Sequence, residues 1–312
     1  MGTRTLIAAA IAPALFSCVI HQVQAQGIPM PDEGKLLATA GAVEVEGAGG
    51  GGLVPWALIT GYGTRDSYGA NAHDTYVRTQ DYTINNVGAA IGLFDHVELS
   101  FNSQKIKGID AVLNGVTIRQ DIVGLKVKVI GDAVYDQDRW LPQIAVGVMF
   151  KDNKGINGLA GLGVFHPTDL GARKNSGTDF YVSATKIFLA QDLLLNGTLR
   201  FTKANQFGLL GFGGDLNDNY RPEFEGSVAY LLSKGFAIGA EFRSRPHNLS
   251  IDREKDVWDA FVAWFPIKNV SLVAAYLDLS TIVTGTGTGP GVPGTINTTK
   301  QHGPYISLAV GF

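Results

Sequence analysis

The stretch Gly47-Ala-Gly-Gly-Gly-Gly52 satisfies G-x-G-x-x-G, a spacing at which glycine backbone can cradle a pyrophosphate. That chemistry needs the glycines to end a strand and open a helix whose N-terminus faces the phosphates. Here they are followed by Val54, Trp56, Leu58, Thr60 and Tyr62 at alternate positions, the period of a strand. The nucleotide reading therefore lacks its context. Gly47, Gly49, Gly50, Gly51 and Gly52 are expected to act as a hinge, where glycine permits tight or left-handed backbone. Hydrolysis is the next chemistry to consider. His247 and Ser250 are the nearest base and nucleophile, but no G-x-S-x-G surrounds them. The histidines, His21, His73, His96, His166, His247 and His302, show no metal-ligand spacing. No catalytic residue, metal or cofactor is expected.

Composition narrows the class. Of 312 residues, 45% are hydrophobic and only 17% charged, with 40 glycines and a net charge of −3. Soluble domains carry about 25% charged residues, so the deficit is informative. A nucleic-acid partner would call for a clustered basic surface, which this balance does not suggest. Arg4, the apolar run Leu6 to Ile20 and the small Ala25 read as an export signal over 1–25. The one cysteine, Cys18, falls inside it. Cleavage after Ala25 or lipidation at Cys18 both stay open, although Phe16 is bulky for a lipoprotein box. No later run of 18 apolar residues offers a spanning helix.

The rest of the chain alternates with period two. Phe236, Ile238, Ala240 and Phe242 share one face, and Ala237, Gly239, Glu241 and Arg243 the other. Twelve such segments are expected: 53–62, 83–93, 97–105, 120–130, 140–151, 177–188, 193–203, 221–232, 236–245, 255–264, 270–279 and 302–312; fourteen stays open. Most approach the ~9–11 residues that cross a bilayer as a tilted strand. Their connections alternate between long (63–82, 106–119, 152–176, 204–220, 246–254 and 280–301) and short (94–96, 131–139, 189–192, 233–235 and 265–269), with only 131–139 breaking the contrast, as when short periplasmic turns face longer extracellular loops. Trp56, Tyr62, Phe101, Phe150, Phe201, Phe224, Tyr230, Phe242, Trp258, Trp264 and Tyr276 fall on the outward parity, suiting interfacial girdles. The expected fold is an all-β, antiparallel transmembrane barrel over 53–312, preceded by a periplasmic segment 26–52. The closing strand places Ile306, Leu308, Val310 and the terminal Phe312 on one face. It is similar to the C-terminal signal that barrel assembly machinery reads during insertion.

Two blocks, "EGAGGGGLVPWA" (Glu46 to Ala57) and "GAAIGLFDHVELSF" (Gly88 to Phe101), resemble a family of Gram-negative exported proteins, domain of unknown function 3034. The resemblance covers Leu36 to Phe312. It implies an outer-membrane barrel and brings no substrate or catalytic residue.

Parity and topology then place the inward charges. Glu98 and Lys128, with Lys126 nearby, are expected as partners near the periplasmic end. Arg200, Glu223, Glu225, Glu241, Arg243 and Asp259 fall on four neighbouring strands at one level of the extracellular half. They form either a structural ion-pair network or a filter on what passes. Twelve strands enclose a lumen between the filled eight-stranded and open 16-stranded cases, so it should be narrow or plugged. The candidate plugs are the segment 26–52 and the apolar loops Gly155 to Phe165 and Phe207 to Gly214. Those loops could instead meet lipopolysaccharide acyl chains or an apolar solute. The loop Thr284 to Thr299 is of low complexity. The reading is an exported outer-membrane protein of a Gram-negative bacterium, a narrow channel or uptake protein for small or apolar solutes. A structural or loop-binding barrel is the alternative, and an outer-membrane lipid hydrolase the third. Outer-membrane lipids and lipopolysaccharide are the expected surroundings.

Overall fold

The computed structural model describes residues 35–36, 41–110, 114–252, 254–282 and 299–312. All of them belong to one unit, Asp32–Phe312. The export signal 1–25 with Cys18, residues 26–34, residues 37–40 and most of the loop 284–299 lie outside the described residues.

Among the described residues, twelve strands and four short 3-10 helices form the regular structure. The strands are β1 Tyr68–Arg78, β2 Tyr82–Leu93, β3 Val97–Gly108, β4 Thr117–Ile130, β5 Gln143–Asn157 and β6 Ser176–Phe188, followed by β7 Leu193–Thr202, β8 Arg221–Ser233, β9 Phe236–Arg243, β10 Val257–Ile267, β11 Val270–Asp278 and β12 His302–Gly311. Each pairs antiparallel with its neighbours in sequence, and β1 closes on β12 with Asn71 opposite Gly311 and Val77 opposite Tyr305. Closure leaves no edge strand, which a spanning sheet requires because lipid offers no hydrogen bonds.

Period-two alternation sorts the side chains between two surroundings. On β10, Trp258, Ala260, Val262 and Trp264 point out, while Val257, Asp259, Phe261, Ala263 and Phe265 point in. Phe101, Val123, Phe150, Phe224, Trp264 and Ile306 are each about half exposed on the outer wall. The inner wall buries Asn71, Asn86, Gln120, Lys151, Asp179 and Arg200 instead. An apolar exterior around a polar interior inverts the soluble pattern and is that of a membrane barrel. No helix among the described residues is long and apolar enough to cross a membrane.

Two groups of connections lie at opposite ends. At the turn end are 94–96, 131–142, 189–192, 234–235 and 268–269; at the loop end are 79–81, 109–116, 158–175, 203–220, 244–256 and 279–301. The contrast expected from sequence holds except at 79–81, and 131–142 breaks it as expected. In the turn 94–96, Phe94 and Asp95 both take positive φ, 55° and 50°, the pair of conformations that matches strand twist in a tight hairpin.

One expected strand is wrong and one was missed. Residues 53–62 do not join the barrel; they lie inside it. The strand that opens the barrel is β1, from within the expected loop 63–82. The count of twelve stands because the two differences cancel. β1 carries Ala70, Ala72 and Asp74 on its outer face, which gave little apolar signal, whereas 53–62 is apolar because both its faces are buried. Trp56 and Tyr62, expected in the outer girdle, are therefore lumen residues, buried to 5% and 1% exposure.

Candidate functional site

The lumen is filled by residues 41–63, a re-entrant segment that enters and leaves through the turn end. Residues 46–63 are buried without exception. Internal bonds fold it into two tight bends: Val45 N donates to Gly52 O at 2.9 Å and Gly51 N to Val54 O at 3.0 Å, with bridges Val43–Gly49 and Gly50–Pro55. The glycines expected to be a hinge ahead of the first strand are thus inside the plug. A Cβ on Gly50 would lie 2.3 Å from the Val54 carbonyl oxygen, closer than any side chain allows.

At the turn end the plug is pinned by charge. Lys35 Nζ sits 2.8 Å from Asp95 and donates to Ile59 O at 2.8 Å. Burial acts to depress the Lys35 ammonium, and the Asp95 carboxylate only partly offsets it. Lys128 also pairs with Asp95. Deeper in, Lys126 Nζ lies 3.0 Å from Glu98 and donates to Gly49 O and Leu58 O, each at 2.8 Å. Glu98 accepts from Gly49 N at 2.9 Å and Thr60 N at 2.8 Å. At the exit, Tyr62 N and Ala70 N both donate to the Phe312 carbonyl at 3.0 Å, and Tyr68 meets the Phe312 ring edge-on.

Midway, neutral wall groups hold plug backbone. Thr185 accepts from Ala57 N at 2.7 Å, Gln143 donates to Ala57 O at 2.6 Å, and Ser183 and Thr198 donate to Pro55 O at 3.0 and 2.9 Å. Glu241 accepts from Leu53 N and Ser227, both at 2.6 Å. Trp56 Nε1 donates to Ser227 at 2.9 Å, while its ring borders an apolar cavity of about 60 Å³ shared with Ile187, Leu194, Phe261 and Val273. A second cavity of about 420 Å³ lies at the turn end among Lys35, Leu58, Arg65, Asp95 and Gln143.

Toward the loop end, three cations converge on the plug carboxylate Glu46. Arg243 Nη1 stands 2.8 Å away, Arg200 Nη1 3.2 Å, and Lys151 also pairs with it. Two wall carboxylates complete the set. Asp179 lies 2.5 Å from Lys151 and 3.4 Å from Arg200, and Glu225 lies 3.2 Å from Arg243 and pairs with Arg200. Burial alone would raise Glu46, but Arg243, Lys151 and Arg200 outweigh it and hold the carboxyl well below its usual range. Its neighbour Glu44 behaves oppositely. Burial, with the Glu46 charge beside it, pushes Glu44 up to about 8.

The loop 203–220 closes the far end. Residues 204–214 turn inward and are buried. Phe207 stacks under Arg243 at 4.4 Å and Arg245 at 5.3 Å, and its carbonyl accepts from Gln120 at 3.1 Å and Lys151 at 3.3 Å. Gln206 and Phe207 both take positive φ, 47° and 62°, so the tip is held in backbone that side-chain-bearing residues avoid. Gln206 is latched by Asp252 at 3.0 and 3.1 Å, Glu254 at 2.9 Å and Arg245 at 2.6 Å. The other apolar loop, 155–165, stays largely exposed past Ile156.

The residues expected as one charged level separate into three. Arg200, Glu225 and Arg243 join the cluster around Glu46. Glu241 and Asp259 are register partners one step toward the turn end; Glu241 accepts from plug backbone at Leu53 N, and Asp259 is buried beside it with no cation paired to it among the described residues. Glu223 lies half-buried at the loop end, bonded to Ser244. The expected pairing of Glu98 with Lys128 is corrected: Lys126 is directly opposite Glu98 in register, and Lys128 reaches the turn. Sequence reasoning missed Lys151, Asp179 and Glu46. Parity marked the first two, since outward Phe150 and Phe180 are their neighbours. His247 and Ser250 are both exposed, and Ser250 N bonds Asp215 at 2.9 Å.

A family profile described as "Protein of unknown function (DUF3034)" matches residues 39–309. No curated protein matches the chain. Solved structures with a similar outline include the NanC porin, 11% identical with a TM-score of 0.48, covering 77% of this chain and 98% of that one. The KdgM porin is 9% identical with a TM-score of 0.44, covering 78% and 99%. Outer membrane phospholipase A from Escherichia coli is 9% identical with a TM-score of 0.39, covering 77% and 95%.

Proposed function

This chain belongs to the DUF3034 family, and from that premise we propose that it is a non-catalytic outer-membrane barrel that passes small solutes through a lumen closed here by its own segment 41–63 and, at the loop end, by the inward tip of loop 203–220. Opening requires both to move. One observation carries the reading: beside an apolar patch around Trp56, polar wall side chains bond plug backbone at Gly49, Leu53, Pro55, Ala57, Leu58 and Thr60 and hold the Glu46 side chain by ion pairs. Water can replace each of those contacts, so a displaced plug leaves a hydrated, polar-walled conduit. A barrel meant only as a solid pillar would gain more from an apolar filling, because buried ion pairs contribute little net stability. In this reading the turn end faces the periplasm and the loop end the exterior. The complete burial of 46–63 favours a second reading, a permanently filled structural barrel.

A reversible lock separates the two. A Cβ on Gly41 would stand 3.6 Å from that of Ser271, within the ~3.5–4.5 Å spanned by a disulfide. Gly41→Cys with Ser271→Cys, in a Cys18→Ser background, should give a barrel that is silent in planar bilayers when oxidised and conducts when reduced. Equal silence in both states, with folding verified by heat-modifiable gel mobility, supports the filled barrel.

A further inference from the structure

We infer that Lys151, Arg200 and Arg243 form a binding site for a solute carboxylate, which Glu46 occupies as an internal substitute while the lumen is closed.

The three cations come from separate strands, β5, β7 and β9, and none is more than 3% exposed. Each reaches the same carboxylate, and that carboxylate belongs to the plug, not to the wall. The wall itself is not neutral there. Its members of the cluster are Lys151, Arg200 and Arg243 against Asp179 and Glu225, three positive charges and two negative. Glu46 brings the balance to zero. When the plug withdraws, this level of the wall keeps one uncompensated positive charge in a narrow passage whose low-dielectric walls focus its field on an anion, with the carboxyls of Glu241 and Asp259 one register step further toward the turn end. Two guanidiniums present planar N–H forks, the geometry that suits a carboxylate. Phe207 stacks beneath Arg243 and Arg245 beside a crevice of about 10 Å³ on the loop side of Arg200 and Arg243, so access from the loop end runs past that ring. A carboxylate entering from that side competes with Glu46 for the same donors and favours the withdrawn plug, because it binds only the state that Glu46 has left. The inference names the solute class for the proposed conduit and rests on that reading for its transport meaning, but the site itself is testable without transport.

Chemical rescue tests the site in detergent. Glu46→Ala in the full chain should unfold at lower temperature by heat-modifiable mobility. Acetate should restore the transition in a saturable way, whereas acetamide, of the same shape and uncharged, should not. If Glu46→Ala fails to fold, acetate present during refolding should raise the folded yield and acetamide should leave it unchanged. Equal effects of acetate, acetamide and chloride would overturn the site in either case. Selectivity is the second arm: in a tenfold KCl gradient, open events of the full chain should reverse on the chloride side, and Arg243→Gln should shift the reversal toward potassium. Cation preference in the unsubstituted chain would overturn the carboxylate assignment. Rescue by acetate in a barrel that never conducts would leave the anion site standing and sink the conduit.

Discussion

Glu98 and Lys126 are register partners on β3 and β4, each 1% exposed, and between them they hold four backbone groups of the plug. Among the described residues each is in ion-pair contact only with the other, so removing one leaves the other's charge without a direct partner in a dry site. Lys126→Met should therefore destabilise the barrel by roughly 3–5 kcal/mol in urea unfolding from lipid, the usual cost of breaking a buried pair. Glu98→Gln with Lys126→Met should cost less than Lys126→Met alone. A double variant as damaged as the sum of the singles would mean that the two act independently.

The glycine run is expected to fail at a specific place. At Gly50, an added Cβ meets the Val54 carbonyl at 2.3 Å and Pro55 Cα at 2.9 Å, both backbone atoms that cannot rotate away. Gly50→Ala should leave the strands paired and unseat the plug. The measurable outcome is unchanged β circular dichroism with a raised basal conductance. Gly161, whose added Cβ would meet nothing within 4 Å, serves as the control, and Gly161→Ala should behave as the parent.

How much of this was legible in the sequence depends on what the neighbouring strand contributes. Eleven strands and their outward faces followed from alternation, because lipid on one side and a polar lumen on the other enforce it residue by residue. The plug did not follow, because a segment buried on every face has no polar phase: Leu53, Val54, Ala57, Leu58 and Ile59 read as a strand when they are the filling. Depth along the lumen was legible only to within about one register step. That error was enough to pair Glu98 with Lys128 and to place Asp259 beside the cations. Glu46 was hidden for a different reason: its partners, on β5, β7 and β9, are 105, 154 and 197 residues away.

The latch at the loop end should respond to pH. Burial pushes the Asp252 carboxyl up to about 7 from an ordinary value near 3.8, against the pull of Arg245, the hydrogen bond from Gln206 and its contact with Glu254. Burial raises Glu254 further still, with the Asp252 charge adding to it and Arg245 opposing. Both carboxyls therefore bind a proton more tightly in the closed loop than in the open one. The stabilisation is fully present below about 4 and is lost as pH rises through about 7, with Glu254 extending the loss upward. Limited proteolysis within 203–214 should accelerate between pH 5 and pH 8 relative to a fixed peptide substrate. Asp252→Asn, which cannot ionise, should reduce that dependence and leave the part owed to Glu254.

The outer wall gives the most direct check of the membrane reading. Val123 lies mid-strand on β4, 54% exposed, between inward Ile122 and Gly124. If lipid covers that face, Val123→Arg places a charge near the bilayer midplane and should cost about 2–4 kcal/mol in folding into vesicles. Trp140, 88% exposed in the turn-end connection, lies outside the strands, and Trp140→Arg should cost under about 1 kcal/mol because a charge there reaches water. The contrast between the two sites is the test. Similar costs at Val123 and Trp140 would place the strand face in water and overturn the barrel's assignment to a membrane, whereas a depth-dependent difference fixes the apolar band on β4.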